Sequence, residues 1–197
     1  MSIGTFNQML AGAIAAFLPL SAAAQDWDGA YGGVTLGWAA SENNYNFNDT
    51  YDEGPYKLEG SVAGLFAGYN VQPGALVYGV EISANFGDVR GLPSGYDNQE
   101  YDSIIDLKGR VGYPSGPALF YAALGYSSSR FAEDGRPNET LGGLGFGIGV
   151  DYKIGSRYFI GAEYYWRDQS GSLDYAPGWS IRDTSLDTFT IRGGIQF

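Results

Sequence analysis

The sequence predicts an all-β fold: an eight-stranded antiparallel up-and-down transmembrane β-barrel that follows a cleaved N-terminal signal peptide. Three observations predict it. Eight segments alternate apolar and polar residues with a period of two, their connections are alternately short and long, and the charges inside them lie opposite the apolar row. Strands cross a bilayer only as a closed barrel, because every backbone N–H and C=O group there needs a partner.

The composition limits the classes of function. The 197 residues fit one domain, and only 17% of them are charged, against roughly 25% in typical soluble domains. A formal net charge of −11 makes nucleic acid an unsuitable partner, because its phosphates would be repelled. Histidine and cysteine are absent, which excludes a disulfide framework, a zinc thiolate site and lipoprotein attachment.

Residues 1–24 have the features of a secretory signal peptide. An apolar stretch from Leu10 to Leu20 precedes small residues such as Ala24, which match a cleavage site before Gln25. No Lys or Arg precedes the stretch, and a buried or membrane-anchoring helix stays open as the alternative. The stretch is shorter than the about 20 residues that a spanning helix needs. The predicted domains are a signal peptide at 1–24 and an outer-membrane barrel at 25–197.

The eight alternating segments are the predicted strands, at residues 27–40, 58–70, 76–86, 102–113, 119–128, 140–153, 158–166 and 186–197. Three connections are short and contain Pro or Gly, as turns do, at 71–75, 114–118 and 154–157. Four are long and polar, at 41–57, 87–101, 129–139 and 167–185. Outer-membrane barrels have this pattern, with short periplasmic turns and longer external loops.

The glycine content of the stretch LGGLGFGIGVDYKIG invites comparison with a phosphate-binding loop. Glycine occupies every second position from 143 to 149, however, and bulky apolar residues fill the positions between. Neither the dinucleotide-binding spacing nor the lysine-ended phosphate loop is matched. The pattern predicts a strand with one face toward lipid and a glycine face that makes room inside a narrow barrel.

Charged residues inside the strands are predicted to face the lumen. Ile105 and Leu107 share one side of their strand, and Asp106 and Lys108 therefore lie on the other. The strand at 58–70 carries apolar residues on both sides, which leaves its orientation open. Buried charges need partners, and an eight-stranded barrel has room only for side chains. We therefore expect a lumen plugged by an ion-pair network of four acids and four bases: Glu81, Asp106, Asp151, Glu163, Lys108, Arg110, Lys153 and Arg192.

An acid/base pair drawn from Glu81, Asp106 and Glu163 is the catalytic alternative. Ion pairing already accounts for these carboxylates, and the sequence therefore predicts no catalytic, cofactor-binding or metal-binding residue and no cofactor.

The long loops carry fifteen acids against six bases. Solubility and mutual repulsion explain this excess, and binding of divalent cations or basic partners is the functional alternative. The six bases placed in the loops are Lys57, Arg90, Arg130, Arg136, Arg167 and Arg182.

The chain ends on Phe197, in the middle of an alternating apolar and polar run. In a closed barrel the last strand pairs with the first, so this residue is expected in the hydrogen-bonded wall. Its aromatic ring would lie at the membrane edge, where aromatic residues are enriched.

A resemblance to a known family rests on the stretches DWDGAYGGVTLGW, FAGYNVQPGALVYGVE and LKGRVGY and on the closing TFTIRGGIQF. They resemble the opacity-protein/porin-like surface antigens, small barrels of Gram-negative outer membranes with an OmpA-like eight-stranded barrel. The resemblance covers essentially the whole chain after the signal peptide. It implies a location in the outer membrane, outer-membrane lipid and the barrel-assembly machinery as partners, and an assembly signal at Phe197.

The expected function is a structural or surface-exposed role in the outer membrane, and the alternative is a small channel for ions or solutes. An enzyme is not expected, because the barrel enzymes of this membrane depend on an active-site histidine and this chain has none. A ligand of the acidic loops is not identified by the sequence.

Overall fold

The computed structural model describes residues 26–48, 51–91, 99–133, 137–172 and 179–197. They form a closed antiparallel barrel in which each strand pairs with its neighbours in sequence and β8 returns to β1. The described part of the chain contains no helix that is long and apolar enough to cross a membrane. The signal peptide predicted at 1–24 lies outside the described residues. The strands are β1 (Gly29–Phe47), β2 (Tyr51–Val71), β3 (Val77–Gly91), β4 (Gln99–Ser115), β5 (Ala118–Glu133), β6 (Glu139–Ile154), β7 (Tyr158–Ser172) and β8 (Trp179–Gln196).

The three short connections are confirmed and lie together at one end of the barrel, here called the turn end. They comprise residues 72–76, 116–117 and 155–157. The opposite end, where β1 joins β2 at residues 48–50, is called the loop end. Gly74, Gly116 and Gly155 each adopt a positive φ in these turns, a conformation that residues with a β-carbon rarely adopt.

The strands are longer than predicted at the loop end. They run for 15 to 21 residues, whereas crossing a bilayer takes about 9–11. Most of the polar residues assigned to loops at 41–57, 87–101, 129–139 and 167–185 therefore continue the strands, and that assignment was wrong for them. The β1–β2 pair, for example, stays in register as far as Phe47 and Tyr51.

The outer surface of the barrel carries a continuous apolar band next to the turn end. Leu36 on β1, Leu107 on β4 and Ile160 on β7 belong to it, and each has more than half of its surface exposed. The structure also settles the orientation of β2: Leu65 points outward and Phe66 is buried in the lumen. In lipid every backbone N–H and C=O group needs a hydrogen-bond partner within the protein, and the closed ring of paired strands provides these partners.

Two apolar clusters fill the lumen at different heights. The inner aromatic cluster, at the turn end, consists of Trp27, Tyr31, Phe66, Val77, Leu119, Tyr121 and Phe159. The outer apolar cluster, toward the loop end, consists of Ala39, Tyr45, Leu58, Val62, Val89, Tyr101, Ile104, Phe131, Leu141, Ile181 and Leu186. Beyond the apolar band the barrel thus resembles a soluble protein, with apolar side chains inside and polar ones outside.

The end of the chain is part of the barrel wall. β8 pairs with β1 from Tyr31 and Gln196 to Phe47 and Trp179. The backbone N–H of Phe197 donates to the carbonyl oxygen of Ala30 at 2.8 Å, and the Phe197 side chain is 80% exposed. These contacts close the seam between the first and last strands.

Candidate functional site: an ion-pair layer in the barrel lumen

Between the two apolar clusters lies a set of buried charges, here called the ion-pair layer. Its members occupy inward positions on β3, β4, β6, β7 and β8, because side chains on a strand alternate between the two faces. All of them have less than one tenth of their surface exposed: Glu81, Asp106, Lys108, Arg110, Asp151, Glu163, Arg167 and Arg192.

Glu81 is the centre of the layer. Its Oε1 lies 2.8 Å from Lys108 Nζ, and its Oε2 lies 3.1 Å from Arg110 Nη1 and 2.6 Å from Arg192 Nη2. The Tyr31 hydroxyl donates a further hydrogen bond to Oε2 at 2.9 Å. One carboxylate thus receives three cations and a hydroxyl, which satisfies its buried oxygen atoms.

The same cations reach the other carboxylates. Lys108 Nζ lies 2.7 Å from Glu163 Oε1, and Arg110 Nη2 lies 2.9 Å from Asp151 Oδ2. Arg192 approaches Asp151 Oδ1 at 3.2 Å and Glu163 Oε2 at 3.4 Å. These contacts link all six residues into one connected network that crosses the lumen.

Arg167 belongs to the ion-pair layer, although its position in the sequence assigned it to a loop. Its Nε and Nη2 each lie 2.8 Å from one oxygen of Asp106, a bidentate pair. Its Nη1 donates to the carbonyl oxygens of Tyr165 and Leu186 and to Thr188 Oγ1. The alternation of the strand could have revealed this, because Arg167 lies four residues after Glu163 and residues an even number apart share one face of a strand.

Lys153 is buried in the lumen but lies outside the network, which contradicts its predicted role. Its Nζ donates to the backbone carbonyl oxygen of Asp26 and lies 4.8 Å from the centre of the Trp27 ring. No ion pair joins Lys153 to a carboxylate among the described residues. The residue sits at the turn end, near the last position of β6, and therefore lies beyond the reach of the mid-lumen acids.

Aromatic rings from the inner aromatic cluster and from β7 pack against the cations. The Arg110 guanidinium lies 3.9 Å from the Tyr121 ring centre, and that of Arg192 lies 3.9 Å from the Phe66 ring centre. Tyr165 lies 4.7 Å from the Arg167 guanidinium and 5.1 Å from Lys108 Nζ. A cation over an aromatic face is stabilised electrostatically, and the rings occupy space that water would otherwise fill.

The layer is a set of matched charges, four acids and four bases. Each of its four carboxylates lies within 2.9 Å of a cationic nitrogen. A general acid or base needs a carboxyl group that can exchange a proton with a substrate within hydrogen-bond reach, and here the cations occupy those positions. Within the described residues no group of three His, Cys, Asp or Glu side chains could hold a metal ion.

Comparison with known proteins gives consistent results. The chain matches the family model for an outer membrane protein β-barrel domain over residues 9–194. It is 31% identical over 185 residues to the 25 kDa outer-membrane immunogenic protein of Brucella abortus biovar 1 (strain 9-941), across 91% of this chain and 83% of that protein. The 22 kDa outer membrane protein of Rhizobium leguminosarum bv. viciae is 30% identical over 179 residues, across 88% of this chain and 80% of that protein.

A solved structure shows the same fold at low sequence identity. The outer membrane protein OprG from Pseudomonas aeruginosa superimposes with a TM-score of 0.55 at 16% identity, across 86% of this chain and 96% of that chain. At this identity the likeness concerns the fold alone.

Proposed function

The chain belongs to the outer membrane protein β-barrel domain family and is an integral outer-membrane protein with a surface or structural role, and from this premise we propose that its barrel is closed to solutes and acts through its loop end. The observation that carries the proposal is the packing of the lumen. Three successive sets of side chains fill it: the inner aromatic cluster, the ion-pair layer and the outer apolar cluster.

The ion-pair layer joins opposite walls of the barrel. Lys108 on β4 contacts Glu163 on β7 at 2.7 Å, although β5 and β6 lie between those strands in the ring. Glu81 on β3 likewise contacts Arg192 on β8 at 2.6 Å. At these distances the atoms are in direct hydrogen-bond contact, and a solute could pass only by separating them.

Separating these pairs would be costly. Removing one partner of a buried pair costs about 3–5 kcal/mol, because the other charge is left uncompensated. A passing ion would have to break several such contacts and then displace the apolar side chains above and below them. The packing therefore supports a closed barrel over the channel alternative.

A catalytic role is not part of the proposal. The acid/base pair considered among Glu81, Asp106 and Glu163 would need a free carboxyl group, and each of these is held by Lys or Arg. The chain also lacks histidine, the side chain that is used most often in general acid–base catalysis.

The loop end is the part of the molecule that we assign to surface function. Its outward side chains include Glu42, which pairs with Lys57 at 2.8 Å, and Glu100, which pairs with Arg90 at 2.8 Å. Such exposed pairs contribute little to stability, so the residues at these positions can be replaced without unfolding the barrel. The word immunogenic in the name of the Brucella relatives agrees with display of this end at the cell surface.

Single-channel recording of the refolded mature protein in a planar bilayer tests the closed barrel. We expect no current steps once insertion has been verified by the shift in gel mobility between unheated and heated samples. A refolded porin recorded in the same bilayer establishes the sensitivity. Steady, reproducible openings would overturn the closed barrel and establish the channel alternative.

Cysteine labelling on intact cells tests which end faces outward, and it is specific because the chain has no cysteine. Asn138→Cys places a thiol at an exposed position of the loop end, and Ser156→Cys places one in the turn at 155–157. A membrane-impermeant maleimide should label the first variant on intact cells and the second only after lysis. The reverse pattern would refute the assignment of the loop end to the surface.

A further inference from the structure

The outer wall of the barrel contains a groove that crosses β6, β7 and β8 near the loop end. It is an open groove with a volume of about 510 Å³, within the range of about 300–1,000 Å³ common for small-molecule sites. Outward-facing side chains of Asp168, Ser170, Ser172 and Ser180 line it. It lies on the outside of the barrel and is therefore distinct from the ion-pair layer in the lumen.

Small residues make up much of the groove lining, among them Gly142, Ser170 and Ser172. Gly142 occupies an outward position on β6 and is directly opposite Ser170 on β7. A β-carbon at Gly142 would collide with the hydroxyl of Tyr126, which leans across from β5. The Tyr126 hydroxyl thus fills the space above Gly142, and the serine hydroxyls of β7 and β8 line the groove beyond it.

The height of the groove identifies its surroundings. Leu144 lines its lower edge and is 65% exposed as part of the apolar band. Trp166, the last exposed aromatic residue of β7 toward the loop end, lies just below Asp168. Aromatic residues mark the boundary between hydrocarbon and headgroups in membrane barrels. With the loop end outside, as proposed above, the groove opens at the level of the headgroups of the external leaflet.

The chemistry of the lining favours a sugar. Three serine hydroxyls donate and accept hydrogen bonds, and the Asp168 carboxylate accepts them. Among the described residues that line the groove, Asp168 is charged and none is cationic, so a phosphate group would be repelled. A ring with several hydroxyl groups matches these donors and acceptors, and the exposed Leu144 side chain offers an apolar surface beside them.

We propose that this groove binds the sugar headgroup of an external-leaflet glycolipid, with the acyl chains lying along Leu144 and the apolar band. A lipid is the occupant because the groove faces the bilayer and continues into the apolar band. A free saccharide would contact only the polar lining of the groove and would leave the apolar band without a partner. The site would fix a glycolipid to one side of the barrel.

Native mass spectrometry of the mature protein, refolded in detergent, tests the proposal. The probes are a rough lipopolysaccharide, the same lipopolysaccharide with its phosphates removed, its free core oligosaccharide, and phosphatidylethanolamine. We expect both glycolipids to be retained at least about tenfold better than the other two, the ratio that roughly one charge-assisted hydrogen bond supplies. Equal retention of phosphatidylethanolamine, or loss of binding with the phosphates, would overturn the proposal, and tight binding of the free oligosaccharide would overturn the lipid assignment.

Matched variants locate the site. Ser170→Trp fills the groove, and Ser61→Trp makes the same change at an exposed position on β2, on another part of the wall. Glycolipid retention should fall about tenfold or more in the first and stay at the parent level in the second, with Asp168→Asn in between. Folding of each variant is verified by gel mobility. Equal retention by Ser170→Trp and the parent would show that the lipid binds elsewhere and would overturn the assignment.

Discussion

The bidentate pair between Arg167 and Asp106 offers the sharpest test of the lumen structure. Replacing Arg167 with Met removes the two hydrogen bonds of 2.8 Å to the carboxylate while keeping an unbranched side chain of similar length. Asp106 then retains the Ser83 hydroxyl at 3.2 Å as a contact but loses its bidentate cation. An uncompensated buried charge of this kind costs about 3–5 kcal/mol.

Urea unfolding of the refolded protein in detergent, followed by tryptophan fluorescence, measures this cost. At a denaturant dependence of about 2 kcal/mol per molar urea, the midpoint should fall by roughly 1.5–2.5 M. The double variant Arg167→Met/Asp106→Leu should be more stable than Arg167→Met alone, because replacing both members of a buried pair with apolar residues is often neutral or stabilising.

Arg130→Met is the matched control, since Arg130 lies on the exposed face of β5 and such changes usually stay within about 0.5 kcal/mol. If Arg167→Met unfolds at the same urea concentration as the parent, the guanidinium is not buried against Asp106.

Three further predictions concern the lumen and the seam. Arg110→Ala should unfold at a lower denaturant concentration yet assemble normally, because it leaves Asp151 with Arg192 alone; an unchanged midpoint would refute the inward orientation of Arg110. Lys108→Met should cost about 3–5 kcal/mol and Lys153→Met the smaller amount of about 1.5–3 kcal/mol, because Lys108 contacts two carboxylates and Lys153 a backbone carbonyl; a larger cost for Lys153→Met in urea unfolding would contradict this division. Deletion of Phe197 should reduce the amount of folded barrel in the outer membrane, measured by heat-dependent gel mobility, and parent levels would rule out its role as an assembly signal.

The sequence was sufficient to predict the barrel because two of its signals are local. Alternation with period two places side chains on opposite faces of any strand, and Pro or Gly at a turn acts within a few residues. The alternation along β4 therefore predicted correctly that Asp106, Lys108 and Arg110 face the lumen. The same logic left the orientation of β2 open, because both of its faces carry apolar residues and burial of Phe66 against Tyr31 depends on another strand.

The ends of the strands depended on more than local pattern. The outward residues at the loop end are polar, so the segments looked like loops, yet their inward positions hold buried side chains such as Tyr45, Phe131 and Ile181. Shifts in register also break the alternation, as between Tyr101 and Ser103 where β4 pairs with β5. A bulge of this kind changes which parity faces inward, and single-sequence alternation does not reveal where it occurs.

The sequence by itself determined the fold class and the inward orientation of most strand charges. Only the tertiary structure decided the partners. It placed Arg167 against Asp106, kept Lys153 with Asp26 and Trp27, and capped the charges with two apolar clusters. The physical reason is that the face to which a side chain points is set by its position along one strand. Which side chains meet across the lumen is set by the register and height of strands that are distant in sequence.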